Sequence, residues 1–194
     1  MRLYPSTGGT KLKVALDAGH GALLNIPHTG ASASGLVEDE IASDFVKRIG
    51  HHLRAAGHKT IITRADGKLV SLAKRVQIAR SARCDAFVSI HCNVGPPAAN
   101  GAEAFIVAGD QRSRTLALRL IEALACQGLR DRGVKTDSQS QHLRLSVLRG
   151  TYRYMPAVLL EVGFLTNKHD VELLRNPNWR EETAVALADA IAGT

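Results

Sequence analysis

Four segments of this chain carry side chains able to bind a metal or move a proton. They are DAGHG at Asp17–Gly21, Glu38 after Gly35-Leu36-Val37, SIHCN at Ser89–Asn93, and LLEVGFLTN at Leu159–Asn167. His20, His91 and Glu161 each lie at or near the end of an apolar run of strand type. Two imidazoles and one carboxylate supply three ligands for Zn²⁺ and leave a fourth position for water, the ligand count of a catalytic site. A further carboxylate beside that position can move protons for an attacking water. The chemistry this set points to is metal-assisted hydrolysis.

Each member has its own argument. His20 stands between Gly19 and Gly21, where tight backbone turns and close approach of a large substrate are possible; core packing explains such a histidine poorly. Asp17 can accept the second imidazole N–H or organise the loop. In SIHCN, strand alternation puts Ser89 and His91 on one face and Cys92 on the other, so Cys92 is not counted as a ligand. Asn93 either fixes the turn or contacts substrate. Glu38, Asp39 and Glu40 all open a helix, and spacing alone does not choose among them. Glu161 is the sharpest anomaly: a carboxylate inside AVLLEVGF is costly to bury without a partner. Its functional reading is a base toward water and then an acid toward a leaving nitrogen. Glu103, in GAEAFIV, alternates onto one sheet face and could lie near the site. His28 and His142 fall in loops that could line a cleft, whereas His51, His52 and His58 are read as solvated and His169 as part of a helix start.

These residues need elements to bring them together. Apolar runs predict strands at Lys13–Ala18, Lys59–Thr63, Ala86–Ile90, Ala102–Val107, Leu143–Leu148 and Ala157–Val162. Helical spacing predicts helices over Glu38–Ala56, Leu72–Arg83 (capped by Ser71, with Leu72, Val76 and Ile78–Ala79 inward), Gln111–Gly128, Asn167–Leu174 and Trp179–Ala192. Gly19–Gly35 reads as a long loop. Alternating strands and helices imply α/β architecture: a single domain with a mostly parallel, twisted sheet flanked by helices. In such sheets ligands bind beyond the carboxyl ends of the strands, which is where His20, His91 and Glu161 fall. Residues 1–11 read as a flexible arm, and residues 12–194 as the domain.

Composition narrows the classes further. The 194 residues are 45% hydrophobic and 22% charged, which argues against disorder. A net charge of +7 favours polyanions. The Lys and Arg are scattered, however, and aromatics make up only 4%, so nucleic acid is not the expected partner. Three cysteines without a CxxC suggest neither a disulfide framework nor a thiolate metal site. No apolar run is long enough to span a membrane, and the N-terminus lacks the apolar core of a signal peptide. A monomer is expected.

Taken together, DAGHG, GLVEDEIA, ITRADGKLVSLAKRVQIA, DAFVSIHCN, GAEAFIV, RGVK, SVLR and PAVLLEVGFLTN resemble, in order and spacing, the zinc-dependent N-acetylmuramoyl-L-alanine amidases called Amidase_3, found in autolysins and endolysins. The resemblance covers about residues 12–192. It implies one Zn²⁺ held by His20, Glu38 and His91, with Glu161 as the catalytic carboxylate. It implies peptidoglycan as substrate, cleaved between N-acetylmuramic acid and L-alanine. Action is then expected at the cell wall, reached by phage-type release or by a chain trimmed of its leader. Two positions depart from the family pattern: Asp39 stands where Lys is common, and Ala18 where Pro is usual. The interval between His91 and Glu161 leaves no room for an additional helix plugging the site, so an open site is expected.

Overall fold

The computed structural model describes residues 10–21, 29–64 and 68–193. β1 (Lys13–Ala18), β4 (Lys59–Ile62), β5 (Ala86–Asn93), β6 (Ala102–Ile106), β7 (Asp131–Thr136) and β8 (Ala157–Phe164) form a six-stranded sheet in the order β4-β1-β5-β8-β6-β7. All neighbours pair in parallel except β6 and β8. The short strands β2 (Ser32–Ala33) and β3 (Leu36–Val37) pair separately, as an antiparallel hairpin. The helices are α1 (Glu38–Ala55), α2 (Leu72–Ser81), α3 (Gln111–Cys126), α4 (Ser146–Thr151), α5 (Lys168–Arg175) and α6 (Pro177–Ala192).

The two faces of the sheet are covered unequally. Val14, Leu16, Val88, Ile90, Val158, Leu160 and Val162 pack against α1, α3 and α6 in a large core that includes Phe45, Leu120 and Leu187. The alternate residues Ala15, Phe87, Phe105 and Leu159 pack in a smaller core with Ala79 of α2, Val147 and Leu148 of α4, and Cys84 and Met155 from the adjoining loops. These two helices have 10 and 6 residues, against 16 to 18 for the helices of the other layer. A helix rises 1.5 Å per residue, so the smaller layer leaves part of its sheet face open, and the cleft lies there.

Local signals account for most element starts. Ser71 Oγ accepts from Lys74 N at the head of α2, Asn167 Oδ1 from Asp170 N at α5, and Asn176 Oδ1 from the backbone N–H groups of Asn178 and Trp179 at α6. Four expectations are corrected. Leu143–Leu148 is not a strand: helix α4 begins at Ser146, which lets Val147 and Leu148 pack into the second core. The strand that precedes this segment is β7 (Asp131–Thr136), at the sheet edge, where a polar DRGVKT sequence is tolerated because one side faces solvent. Leu72 is 52% exposed, and Arg75 takes the fully buried place on α2. The loop expected over Gly19–Gly35 contains the β2–β3 hairpin at its end; residues 22–28, including His28, lie outside those described, as do residues 1–9 of the arm. Lys11, at the close of the arm, donates from Nζ to Ala56 O. His52 and His58 are not simply solvated: His52 Nε2 meets Glu181 Oε1 at 2.8 Å, and His58 Nδ1 accepts from Leu12 N.

Candidate metal centre and active site

The parallel register places the candidate residues at one rim. His91 of β5 lies opposite Glu161 of β8, and Glu161 lies opposite Glu103 of β6. His20 follows β1 directly, and Glu38 is the first residue of α1. After His91 the β5–β8 register slips by one residue, so that Asn93 pairs with Phe164. Such a bulge re-aims the end of a strand. His20, Glu38, His91, Asn93, Glu103, His142 and Glu161 all line one cleft of about 300 Å³.

Glu38 is the hub. Its Oε1 lies 3.1 Å from His20 Nε2 and 2.9 Å from His91 Nδ1, and the backbone N–H groups of Cys92 and Ala31 donate to its two oxygens. Burial pushes the Glu38 carboxyl up, but the hydrogen bonds from the two imidazoles outweigh burial and hold it well below the usual carboxylate range. One ligand atom from each of the three residues lies within 4.8 Å of the others, so the group could hold a metal ion. Two ligands on one tetrahedral zinc stand roughly 3.4 Å apart when each bond is about 2.1 Å. The donor set, nitrogen, nitrogen and anionic oxygen, suits that ion. Asp39 and Glu40 are not members of the group.

The backbone is shaped around these side chains. His20 adopts φ 59°, a left-handed conformation uncommon outside glycine. A Cβ on Gly19 would stand 2.6 Å from His91 Nδ1, and one on Gly30 would stand 2.9 Å from the His20 ring. Only hydrogen fits at either place.

Glu161 lies beside this group with Oε2 buried and lacking a hydrogen-bond partner among the described residues. Burial drives its carboxyl well above the usual range, and the negative charges of Glu38 and Glu103 push in the same direction. A carboxyl raised in this way and lining the cleft suits proton transfer.

Glu103 is in a different condition. It accepts from Arg132 Nε at 2.7 Å, Lys135 Nζ at 2.5 Å and Asn93 Nδ2 at 2.8 Å. Burial raises its carboxyl, but the two cations overcome this and lower it. Asn93 is thereby tied to Glu103, and its Oδ1 accepts from Val94 N, closing the turn. Cys92 packs in the larger core, its thiol pushed well up by burial.

Asp17 makes no hydrogen bond to a histidine among the described residues. Its Oδ1 accepts from the Thr63 hydroxyl and from Arg75 Nη1 at 3.1 Å, and its Oδ2 from Ser89 Oγ at 2.6 Å. Arg75, which Asp17 anchors, also donates to the carbonyls of Ala18, His20 and Val70. Arg64 donates to the carbonyls of Ala18, Gly19 and Asp39 and to Ser43 Oγ. Two buried guanidiniums therefore grip consecutive carbonyls of the His20 turn from below. Neither arginine stood out in the sequence. The available signal was a charge at a helix position that periodicity assigns to the core, namely Arg75, one residue before Val76.

No helix among the described residues is long and apolar enough to cross a membrane. A family model described as N-acetylmuramoyl-L-alanine amidase matches residues 14–193. The N-acetylmuramoyl-L-alanine amidase LytC of Bacillus subtilis (strain 168) is 34% identical over 180 residues, which cover 91% of this chain and 34% of that protein. The endolysin of Bacillus phage SPP1 is 32% identical over 187 residues, covering 92% of this chain and 64% of that protein. This chain thus spans about a third of the first relative and just under two thirds of the second. The catalytic domain of the amidase CwlV from Bacillus (Paenibacillus) polymyxa var. colistinus superposes with a TM-score of 0.81 at 31% identity, covering 95% of this chain and 97% of that one. With nearly its whole length matched in sequence and in fold, this chain belongs to the N-acetylmuramoyl-L-alanine amidase family Amidase_3.

Proposed function

We propose that this chain is a zinc-dependent N-acetylmuramoyl-L-alanine amidase acting on peptidoglycan, with His20, Glu38 and His91 holding the ion and Glu161 as the catalytic carboxylate. The observation that carries this reading is Glu161 Oε2, unpartnered among the described residues and lining the same cleft as a three-residue metal-capable group. When bound, zinc supplies a Lewis acid that polarises the amide carbonyl and eases deprotonation of water.

The protein's own residues do the rest. Glu38, ionised under the pull of both imidazoles, contributes the anionic ligand. Glu161 takes a proton from the attacking water as its oxygen bonds to the lactyl carbonyl carbon. It then gives that proton to the L-alanine nitrogen as the C–N bond breaks, leaving a lactyl carboxylic acid, which keeps the water's second proton, and a free stem-peptide amine. Glu103, neutralised by Arg132 and Lys135, holds Asn93 and the cleft floor in place. Asp17 acts through Arg75 to fix the His20 turn rather than on the imidazole. The elements between β5 and β8 are β6, α3, β7, one 3₁₀ turn and α4, and the side chains of His20 and His91 remain 31% and 17% exposed. That exposure supports a site open to polymer without a plug.

Mass spectrometry of digested peptidoglycan tests the reading. Stem peptides with new L-alanine amino termini are expected, together with loss of lysis under a chelator and recovery on adding zinc. New reducing ends on the glycan would refute it in favour of glycosidase action.

A further inference from the structure

We propose that the sheet edge opposite the cleft carries a binding face for a linear phosphodiester polymer, built from Arg80, Arg83, Arg112 and Arg153 around the Tyr152–Tyr154 turn. β1, β5 and β8 all begin at this edge, and Glu161 lies four residues along β8 from its first residue, about 13 Å at strand spacing. The start of α3 is tied to this edge, where Ser113 Oγ accepts from Ala157 N of β8.

Arg80, Arg112 and Arg153 contact one turn, and Arg83 follows Arg80 at the end of α2. Arg80 Nη2 donates to the Tyr154 hydroxyl at 2.6 Å, and its guanidinium lies 3.9 Å from that ring's centroid. Arg153 Nε donates to the Tyr152 hydroxyl at 3.1 Å, and Arg112 Nη2 to the Tyr152 carbonyl at 2.7 Å. Arg83 N bonds back to Arg80 O. All four arginines are exposed. Among the described residues, no carboxylate lies within ion-pair distance of Arg80, Arg83 or Arg153, and the one near Arg112, Asp110, is 3.6 Å away. This contrasts with Arg48, Arg132, Lys135, Arg149 and Arg180, each of which sits on a carboxylate.

The ligand class follows from the donors. Four guanidiniums carry about twenty N–H groups, and the protein engages few of them. A surface rich in donors and poor in acceptors suits an anion, and a phosphodiester presents one charge on two non-bridging oxygens at every repeat of a linear chain. Guanidinium forks also match phosphate oxygens in pairs. Tyrosines already held against Arg80 and Arg153 are poor platforms for stacking bases, which disfavours nucleic acid. That the polymer is wall material rests on the amidase reading; the binding itself does not.

The test measures retention of the whole chain on immobilised poly(glycerol phosphate) in 0.15 M salt. Wild type should bind with a log–log salt slope of about −3, four contacts at about 0.7 each. Arg80→Gln/Arg83→Gln/Arg153→Gln should bind at least tenfold more weakly, with a slope near −1, and should keep wild-type turnover of a small soluble muropeptide. Should the triple variant melt early, Arg83→Gln/Arg153→Gln, which leaves the Arg80–Tyr154 contact intact, should still lose affinity. Glu161→Gln should bind the polymer as wild type does, so failure of the amidase reading and failure of this one give different results. Absent retention of wild type, undiminished binding by the variants, or equal binding to duplex DNA or to the carboxylate polymer hyaluronate would overturn the proposal.

Discussion

Replacing Asp17 with asparagine tests whether the His20 turn is held from beneath. The carboxylate is 1% exposed and accepts from Thr63, Arg75 and Ser89, and it is the carboxylate paired with a buried Arg75 beside a second buried guanidinium, Arg64. Asparagine preserves shape and one acceptor oxygen, and the Ser89 hydroxyl can turn to accept from the new amide. The loss is therefore chiefly the charge, which leaves Arg75 buried without its counter-ion. Removing one member of a buried pair costs about 3–5 kcal/mol, and the retained hydrogen bonds favour about 3. For a domain of this size each kcal/mol lowers Tm by about 2–4 °C, so a fall of about 6–12 °C is expected. The assay is thermal and urea unfolding of metal-free protein, because bound metal would add its own stabilisation, together with a zinc titration. If Asp17 instead oriented the His20 ring, the variant would lose about 10–100-fold in metal affinity, as such partners do, with stability unchanged. That pattern would refute the argument from the arginine grip.

Three further outcomes follow from the site. Glu161→Gln should lower kcat by about 10²–10⁴-fold with zinc content unchanged by elemental analysis. Its melting temperature should stay close to wild type, since the amide matches the carboxyl in shape and the buried oxygen it replaces already lacks a partner among the described residues. Gly19→Ala drives a methyl into the His91 ring, so zinc affinity should fall at least tenfold in a competition titration; a wild-type affinity would show that the ring has room to move. Glu103→Gln removes a negative charge that raises the Glu161 carboxyl and frees two cations that favour its ionised form. The acidic limb of the pH–activity profile should therefore move to lower pH, and an upward or absent shift would contradict the coupling.

Much of this was legible from the chain alone. Period and caps located β1, α1, β5, α5 and α6 to within three residues at either end, because each carries a strong local signal: an unbroken apolar run, a side chain capping the first turn, or a glycine stop. The same local logic put Ser89 and His91 on one sheet face and Cys92 on the other. It failed where local preference is weak or is overruled. SVLR alternates like a strand yet coils, since only a helix there fits its apolar pair against α2. DRGVKT is too polar to read as a strand, yet it pairs at an edge where water covers one side. For Asp17 the chain alone left two readings open, a partner for the His20 imidazole or an organiser of its loop, and the structure supports the second. Its true partners, Thr63, Arg75 and Ser89, come from distant segments that only the parallel register brings underneath it. The sequence by itself determined which side chains could bind a metal and move a proton, because ligand chemistry belongs to residue type. Which carboxylate joins the two histidines, which one is left buried without a partner, and which arginines hold the turn were decided by tertiary structure. Charge state and ligation depend on distances and burial set by strands far apart in the chain.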